Sequence, residues 1–143
     1  MTDPVERNLD VVRRLHALWN DGDLSVVADL YARDFVGHWP SQSPIPQRLG
    51  HEGVIMGVGR IRAAFPDWTE TIEDLFGAGD RVVSRYVSTG THRGEFEGLA
   101  PTGRRIALPE MSIYRLADGR VAEQWCLFDG EQRRRQLLGT DAR

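Results

Sequence analysis

The amino-acid sequence predicts an α+β fold, a cone in which three N-terminal helices pack on a strongly curved, mixed but mainly antiparallel sheet. Two observations predict it. Before Pro66, apolar residues recur at the spacing of amphipathic helices, and after it strand-like runs are separated by short glycine-containing turns. Helices collected on one face of a sheet bury that face, and strong curvature leaves a pocket between the two layers.

The first helix has both of its ends marked in the sequence. Asp3 is placed to cap it and Pro4 stands at its first position, whereas Asn20-Asp21-Gly22 ends it. A third helix spans residues 51–65, where Pro66 ends it. The apolar stripe of the first helix consists of Val5, Leu9, Val12, Leu15, Leu18 and Trp19. The second, shorter helix follows Asp23 and carries Leu24, Val27, Leu30 and Tyr31.

Five strands are predicted. The first, residues 35–39, is brief and leads into residues 40–50, which contain three prolines and which we interpret as a loop that forms a lid over the cavity. The other four strands are residues 68–76, 81–92, 104–116 and 120–128.

Composition excludes several classes of protein. The chain has 143 residues, of which 41% are hydrophobic, and residues 1–143 form one domain of ordinary size. Its net charge of -3 argues against nucleic-acid binding, so we interpret Arg133-Arg134-Arg135 as a solvated helix face. The single cysteine, Cys126, excludes an internal disulfide, and no cysteine or histidine spacing indicates a metal site. The N-terminus shows no signal peptide or membrane span, so we expect a cytoplasmic protein without membrane contact.

Several segments that follow one another along the chain resemble the SnoaL-like polyketide cyclases. The similarity covers almost the whole chain and rests on Trp19-Asn20-Asp21-Gly22-Asp23, Phe65-Pro66-Asp67, the Gly90 to Arg104 block and Asp118-Gly119-Arg120-Val121-Ala122-Glu123-Gln124-Trp125. The resemblance implies the cone-shaped fold shared with nuclear transport factor 2. It also implies a deep pocket for a small hydrophobic or polycyclic substrate, a homodimer formed through the outer sheet face, and no metal or cofactor.

The resemblance also implies a catalytic pair that this chain lacks. The best-known members of the family close an aldol ring with an aspartate on the last strand and a histidine on the preceding strand. Here the histidine position falls on Ser112 and the aspartate position falls near Cys126. Neither side chain replaces the missing group, because serine is no base at neutral pH and an ordinary thiol is mostly protonated.

Four other residues are candidates for acid/base catalysis. Glu110 shares a strand face with Ser112, and the resemblance implies that this is the pocket face, so the Glu110 carboxyl is expected to be desolvated there. The alternative is that both side chains face solvent or a partner subunit. His38 lies where the first strand meets the lid. It is a candidate general base or a group that orients a substrate carbonyl, and the alternative is a histidine at the pocket rim that is hydrogen-bonded to backbone. Asp129 and Asp67 are further candidates, although capping a helix explains Asp129 equally well and bracing a turn explains Asp67.

A second group of side chains is predicted to bind the substrate. It consists of Trp39, Tyr86, His92, Ser112, Gln124, Trp125 and Cys126. Because Trp125 and Phe128 point to opposite faces of a regular strand, at most one of them lines the cavity. We interpret His16, inside the apolar stripe of the first helix, as a core or rim histidine, and His51 as a residue that caps the third helix.

Three functions are compatible with these residues. The first is a cofactor-independent cyclase or isomerase that acts on a polyketide-like intermediate of secondary metabolism. The second is an epoxide hydrolase or epoxide-opening cyclase, which also requires paired acid/base groups. The third is a ligand-binding or accessory protein that has the pocket without the catalytic pair, as Ser112 and Cys126 suggest.

Overall fold

The computed structural model describes residues 3–40 and 50–140, so most of the predicted lid lies outside the described residues. In these two ranges four helices pack with one five-stranded sheet, and the predicted fold class is confirmed. The helices are α1 (Pro4–Asp21), α2 (Val27–Leu30), α3 (Gly50–Ala64) and α4 (Gly130–Leu138), with a short 3₁₀ turn at Leu24–Val26. The strands are β1 (Tyr31–His38), β2 (Thr69–Ala78), β3 (Arg81–Thr91), β4 (Arg105–Ala117) and β5 (Arg120–Phe128).

The four long strands begin and end within two residues of their predicted bounds, but the start of β1 differs. The sequence prediction places Tyr31 in the second helix, whereas in the structure it begins β1 opposite Val121 of β5. Its side chain is buried and its hydroxyl accepts a hydrogen bond from the Trp19 indole N–H at 3.0 Å. Pairing with β5 and burial against α1 therefore override the helical spacing of Tyr31 with Val27.

The ends of α1 follow the residues that predicted them. The Asp3 carboxylate accepts a hydrogen bond from the Val5 N–H at 2.9 Å. Gly22 has a left-handed backbone with φ of 74°, and its N–H donates to the Leu18 carbonyl at 2.7 Å. A glycine is favoured there because other residues rarely adopt this conformation. The helix is thus fixed at both ends beside the sheet.

The sheet has the strand order β1-β5-β4-β3-β2 and is open. β1 pairs with β5 in parallel, and the remaining neighbours are antiparallel. Register places Ser84 opposite Ser112 and Ser112 opposite Cys126, so these three side chains lie in one row across the inner face. Alternate residues of β3 and β4 are buried, as expected for a sheet covered on one side.

The Gly90 to Arg104 block joins β3 to β4 and is attached to the end of α3. The backbone N–H groups of Arg93 and Gly94 both donate to the Ala64 carbonyl, at 2.9 and 3.1 Å. Phe96 and Leu99 form a small bridge within the block, and Phe96 packs 5.1 Å from the ring of Phe65. The block therefore closes one side of the space between α3 and the sheet. Within the described ranges, no helix has the length and apolarity needed to cross a membrane.

Candidate active site

A cavity lies between the inner face of the sheet and helices α1, α3 and α4. Its volume is about 40 Å³, which is room for a few water molecules. A polycyclic ligand therefore requires side chains of the wall to move. The lining residues are Leu15, His16, Trp19, Trp39, Ile61, Trp68, Glu70, Tyr86, Glu110, Tyr114, Gln124, Phe128 and Arg133.

A histidine and a glutamate form a buried pair in the wall of this cavity. His16 Nδ1 lies 2.7 Å from Glu70 Oε1, and the two side chains are only 3% and 8% exposed. The other carboxylate oxygen, Glu70 Oε2, accepts a hydrogen bond from the Trp68 indole N–H at 2.9 Å. Two N–H donors therefore hold the Glu70 carboxylate in place, and Glu70 fixes the orientation of the imidazole.

Helix α1 positions this pair through two hydrogen bonds to the backbone at the start of β2. The Asn20 amide oxygen accepts from the Glu70 backbone N–H at 2.6 Å, and the Asn20 amide nitrogen donates to the Glu70 carbonyl at 3.3 Å. His16 lies one helical turn before Asn20, so both residues face the same strand. The two hydrogen bonds of Asn20 therefore fix the position of β2 along the axis of α1.

Two hydroxyl groups surround the second ring nitrogen of the histidine. His16 Nε2 lies 3.0 Å from Ser84 Oγ and 3.2 Å from the Tyr114 hydroxyl, and those two hydroxyls are 2.9 Å apart. Burial raises the pKa of Tyr114 well above its usual range, although hydrogen bonds from Ser84 and Ser112 oppose the shift. Tyr114 is consequently a neutral phenol at physiological pH.

Glu110, on the neighbouring part of the inner face, is a carboxyl group with a strongly altered pKa. Burial, and then the negative charge of Glu70, raise its pKa from 4.5 to about 7. Hydrogen bonds from Ser88 Oγ to Oε2 and from Cys126 Sγ to Oε1, the latter at 3.5 Å, partly offset that shift. A group with this pKa is present in both protonation states near neutral pH, so it can take and return a proton.

Ser112 and Cys126, the two positions at which the resemblance implies the catalytic pair, lie in a polar cluster beside Glu110. Ser112 Oγ accepts from the Gln124 amide at 3.1 Å and lies 3.1 Å from the Tyr86 hydroxyl. The same hydroxyl is 3.6 Å from Cys126 Sγ. Burial and the nearby Glu110 carboxyl raise the pKa of the Cys126 thiol well above its usual range, so the thiol stays protonated.

Arg133 of α4 adds a positive charge to the cavity wall. The residue is 4% exposed, whereas Arg134 is exposed and Arg135 is half-buried. The interpretation of all three arginines as a solvated face is therefore wrong for Arg133. The spacing of α4 explains the difference, because Arg133 and Leu137 lie one turn apart on its buried side.

Three of the four predicted catalytic residues lie away from the cavity wall. His38 Nε2 is 2.7 Å from Glu123 Oε2, its side chain is 44% exposed, and its ring stacks on Trp125.

The Asp67 carboxylate accepts from the N–H and the hydroxyl of Thr91, both at 2.7 Å. Asp129 caps α4 by accepting from two backbone N–H groups. Glu110 alone of the four lines the cavity, and the structure does not bring it together with the others.

The predicted binding residues also divide into groups. Trp39, Tyr86 and Gln124 line the cavity, whereas Ser112 and Cys126 are buried next to them. His92 is fully buried beside the Gly90 to Arg104 block, where its Nδ1 lies 3.0 Å from Thr102 Oγ1.

Trp125 is on the outer face of the sheet. Phe128, on the inner face, lines the cavity, so strand alternation separates these two aromatic residues as predicted. Trp125 contacts the ring of His38 and the Arg81 guanidinium on the outer side. The predicted contact of Trp125 with a ligand in the cavity therefore does not fit its position.

Sequence reasoning misses Glu70 and assigns His16 to the core or rim without a partner. Two signals are present in the sequence. His16 is a polar residue within an apolar stripe, and a buried imidazole needs a hydrogen-bond partner. Glu70 alternates with Trp68 on β2, so it shares the face of a buried aromatic residue. His16 and Glu70 meet only because α1 packs on β2, and the sequence does not reveal this contact.

The remaining histidine and the acidic side chains do not form a metal centre in the part of the chain that the structure describes. Within residues 3–40 and 50–140, no group of three or more His, Cys, Asp or Glu side chains is arranged to hold a metal ion. His51, predicted as a cap, lies with its Nε2 2.8 Å from the Tyr31 carbonyl oxygen.

An open, curved sheet covered by helices, with a polar cavity between the layers, is the architecture of the nuclear transport factor 2-like proteins. The sequence model of the SnoaL-like polyketide cyclase family matches residues 9–137. This chain belongs to that family.

Two relatives and one solved structure illustrate the similarity. Aklanonic acid methyl ester cyclase AcmA of Streptomyces galilaeus is 25% identical over 132 residues, which are 90% of each chain. Aklanonic acid methyl ester cyclase DauD of Streptomyces sp. (strain C5) is 24% identical over 116 residues, or 80% of this chain and 71% of DauD. The crystal structure of IdmH from Streptomyces antibioticus superposes with a TM-score of 0.78 at 32% identity, over 93% of this chain and 96% of IdmH.

Proposed function

We propose that the protein is a cofactor-independent cyclase that closes a ring in a polyketide-like intermediate by acid/base catalysis, with Glu110 as the proton-transfer group. The observation that carries the proposal is the Glu110 carboxyl, whose pKa of about 7 matches this task, in the same cavity as the His16–Glu70 pair. The names of the relatives AcmA and DauD, both aklanonic acid methyl ester cyclases, and the description of the family support the substrate class.

The position of Glu110 supports its role as a substitute for the family's aspartate. Its carboxyl oxygen lies 3.5 Å from Cys126 Sγ, close to the place where the aspartate is expected. The imidazole has a similar substitute. His16 enters from α1 and contacts Ser84, which is paired in register with Ser112 at the position of the family's histidine. Carboxyl and imidazole are thus supplied by other elements to the same region of the inner face.

Ring closure by an aldol reaction requires one proton to be moved and no change in oxidation state. Ionised Glu110 removes a proton from the carbon next to a substrate carbonyl, and the electron pair of that C–H bond becomes an enolate. The enolate carbon forms a C–C bond with a second carbonyl carbon, whose oxygen becomes an alkoxide. Glu110 returns its proton to this alkoxide, so the enzyme ends in its starting state.

We expect buried hydroxyl groups and the imidazole of the inner face to stabilise the oxyanions of this reaction. Burial raises the pKa of Tyr86 well above its usual range, so Tyr86, like Tyr114, stays a neutral phenol. His16 is held by Glu70 and Ser84 and does not need to reorient during the reaction. Preorganised donors in a site that excludes water stabilise developing negative charge more than water does.

The experiment is conversion of aklanonic acid methyl ester and of its parent acid by the purified protein. Aldol ring closure is an isomerisation, so the product has the mass of the substrate and a different retention time in liquid chromatography. We expect Glu110→Gln to lower kcat by about 100-fold or more. Glu131→Gln, which neutralises an exposed carboxylate on α4, is the matched control and is expected to keep full activity.

The outcomes separate the proposal from a binding protein. Undiminished turnover by Glu110→Gln contradicts the assignment of Glu110. Tight binding of either compound without turnover by the wild-type protein contradicts the cyclase and supports the non-catalytic function.

A second candidate, epoxide opening, is favoured by one observation. Glu70 and Glu110 line one cavity, and burial, followed by the negative charge of Glu70, raises the pKa of Glu110. A neutral acid that protonates the epoxide oxygen and an ionised carboxylate that directs the nucleophile are the two groups such a reaction needs. Incubation of an epoxide substrate in H₂¹⁸O distinguishes hydrolysis, which incorporates one labelled oxygen, from internal cyclisation, which incorporates none.

The expected homodimer is also a proposal. Large apolar side chains are exposed on the outer sheet face, where Met111 and Leu127 are a register pair and are 44% and 70% exposed. Ile113, on the next outward position of β4, is 41% exposed. A contiguous apolar patch of this kind favours association. Sedimentation of the wild-type protein as a dimer and of Leu127→Glu as a monomer is the expected result, and a monomeric wild type contradicts it.

A further inference from the structure

A buried arginine faces the same cavity as the carboxyl groups and has no part in the proposed proton transfer. Arg133 lines the cavity wall, and its side chain is 5% exposed. Its guanidinium carbon lies 5.0 Å from the ring centre of Phe96 and 4.8 Å from that of Phe128. These ring contacts hold the planar guanidinium in one place, which lowers the entropy lost when it binds a ligand.

Arg133 also lies close to acidic groups of the cavity wall. Glu97 Oε2 lies 3.5 Å from one guanidinium nitrogen, and the Glu97 side chain is 34% exposed, at the outer edge of the contact. Glu110 on β4 and Cys126 on β5 also interact electrostatically with Arg133. Of these two, the Cys126 thiol is protonated, and Glu110 is ionised in only part of the molecules at pH 7. Because the guanidinium is part of the cavity wall, its positive charge is available to an anionic group of a ligand in that cavity.

We propose that Arg133 binds a carboxylate of the substrate, so that the cavity prefers a free acid over the corresponding methyl ester. The inference rests on the proposed function in that it takes this cavity as the substrate site. The guanidinium presents N–H donors in a plane that matches the two oxygens of a carboxylate. An ester has no charge and offers its oxygens as weaker acceptors.

Occupation of this subsite has a consequence for Glu110. A ligand carboxylate near Arg133 cancels part of the positive charge that lowers the pKa of Glu110 and adds a negative charge close to it. Both effects raise that pKa further, as the charge of Glu70 already does. An acidic ligand that binds at pH 7 is therefore accompanied by uptake of a fraction of a proton, whereas a neutral ester is not.

The experiment uses a matched pair of probes, 2-naphthoate and methyl 2-naphthoate, and isothermal titration calorimetry at pH 7 in phosphate and in Tris. The two buffers differ in ionisation enthalpy, so the difference in binding heat measures the protons taken up. We expect the wild-type protein to bind the acid roughly ten-fold or more tightly than the ester, the usual effect of a charge-assisted hydrogen bond. We also expect proton uptake with the acid only.

Variants of two adjacent arginines assign the preference to one side chain. Arg133→Met keeps an apolar stem and is expected to reduce the acid-to-ester preference to less than about two-fold, with a smaller effect on ester affinity. Arg133→Lys keeps the charge and is expected to retain part of the preference. Arg134→Met makes the same charge change on the exposed face of α4 and is expected to retain all of it.

Each result bears on the inference. Equal binding of acid and ester by the wild-type protein overturns it without affecting the cavity as a ligand site, and this measurement needs no variant. A preference that survives in folded Arg133→Met also overturns it. If neither probe binds, the inference falls together with the cavity as the substrate site. Acid preference without any turnover supports Arg133 as a subsite while contradicting the cyclase.

Discussion

His16 of α1 and Glu70 of β2 are joined inside the protein by a contact of 2.7 Å between Nδ1 and Oε1. The contact links two elements that are 54 residues apart in the chain. It also gives the imidazole one fixed orientation towards Ser84 and Tyr114. The pair therefore connects α1 to β2 and also orients the imidazole.

A double-mutant cycle measures the strength of this pair. We expect His16→Ala and Glu70→Ala to be coupled by about 1–3 kcal/mol in the free energy of unfolding, because each buried group loses its main partner when the other is removed. The exposed pair Asp10 and Arg13 on the same helix is the control and is expected to couple by less than about 0.5 kcal/mol. Urea denaturation of the single and double variants gives both values. Equal coupling in the two pairs contradicts the buried interaction.

Glu110 makes the stability of the protein depend on pH. Its pKa rises from 4.5 to about 7 on folding, so between these pH values the folded protein binds more protons than the unfolded chain. The free energy of unfolding therefore falls as pH rises through this window, by about 3 kcal/mol in total, and is not affected by Glu110 below it. Glu110→Gln has no such titration. We expect the stability of this variant relative to wild type to increase by about 3 kcal/mol between the lower and the upper end of the window.

Urea denaturation of both proteins across this range checks the value. Groups such as Asp67 and Glu123, whose pKa values are lowered by their hydrogen bonds, titrate in both proteins and cancel in the comparison. A constant difference between wild type and variant across the range shows that Glu110 has an ordinary pKa.

The sequence was sufficient for the fold and insufficient for most of the site. Helical spacing in α1 and alternation in β3 to β5 are local patterns, and they predicted the elements and which residues share a face, whereas the prediction that Glu110 faces the pocket came from the family resemblance. His16 and Glu70 belong to different elements, and only the packing of α1 on β2 brings them together. His38 was expected at the pocket because of its place at the end of β1, but the parallel pairing of β1 with β5 brings it to Glu123 on the outer side. Long-range register of this kind leaves no local signal.

Asp129 is expected to contribute to stability as a helix cap. Its Oδ1 accepts hydrogen bonds from the N–H groups of Glu131 and Gln132, at 3.0 and 3.1 Å. Asp129→Ala removes both and is expected to lower the free energy of unfolding by about 1 kcal/mol, whereas Asp129→Ser keeps an acceptor and costs less. Thermal denaturation of the two variants measures the difference. An equal loss of stability in the two variants excludes helix capping as the contribution of Asp129.

Substitution by alanine is expected to change the free energy of unfolding in opposite directions at two glycines, Gly94 and Gly59. A Cβ atom at Gly94 would overlap the carbonyl oxygen of Ala63, so the attachment of the Gly90 to Arg104 block to α3 has no room for a side chain. We expect Gly94→Ala to lower the free energy of unfolding by about 1–3 kcal/mol through the backbone shift that it forces. Gly59 lies within α3, and a methyl group added there would meet no described atom within 4 Å. Gly59→Ala is therefore expected to raise the free energy of unfolding by about 0.5–1 kcal/mol, because alanine loses less backbone entropy in a helix. Chemical denaturation of both variants tests the pair, and a neutral Gly94→Ala would show that the block is not held closely against α3.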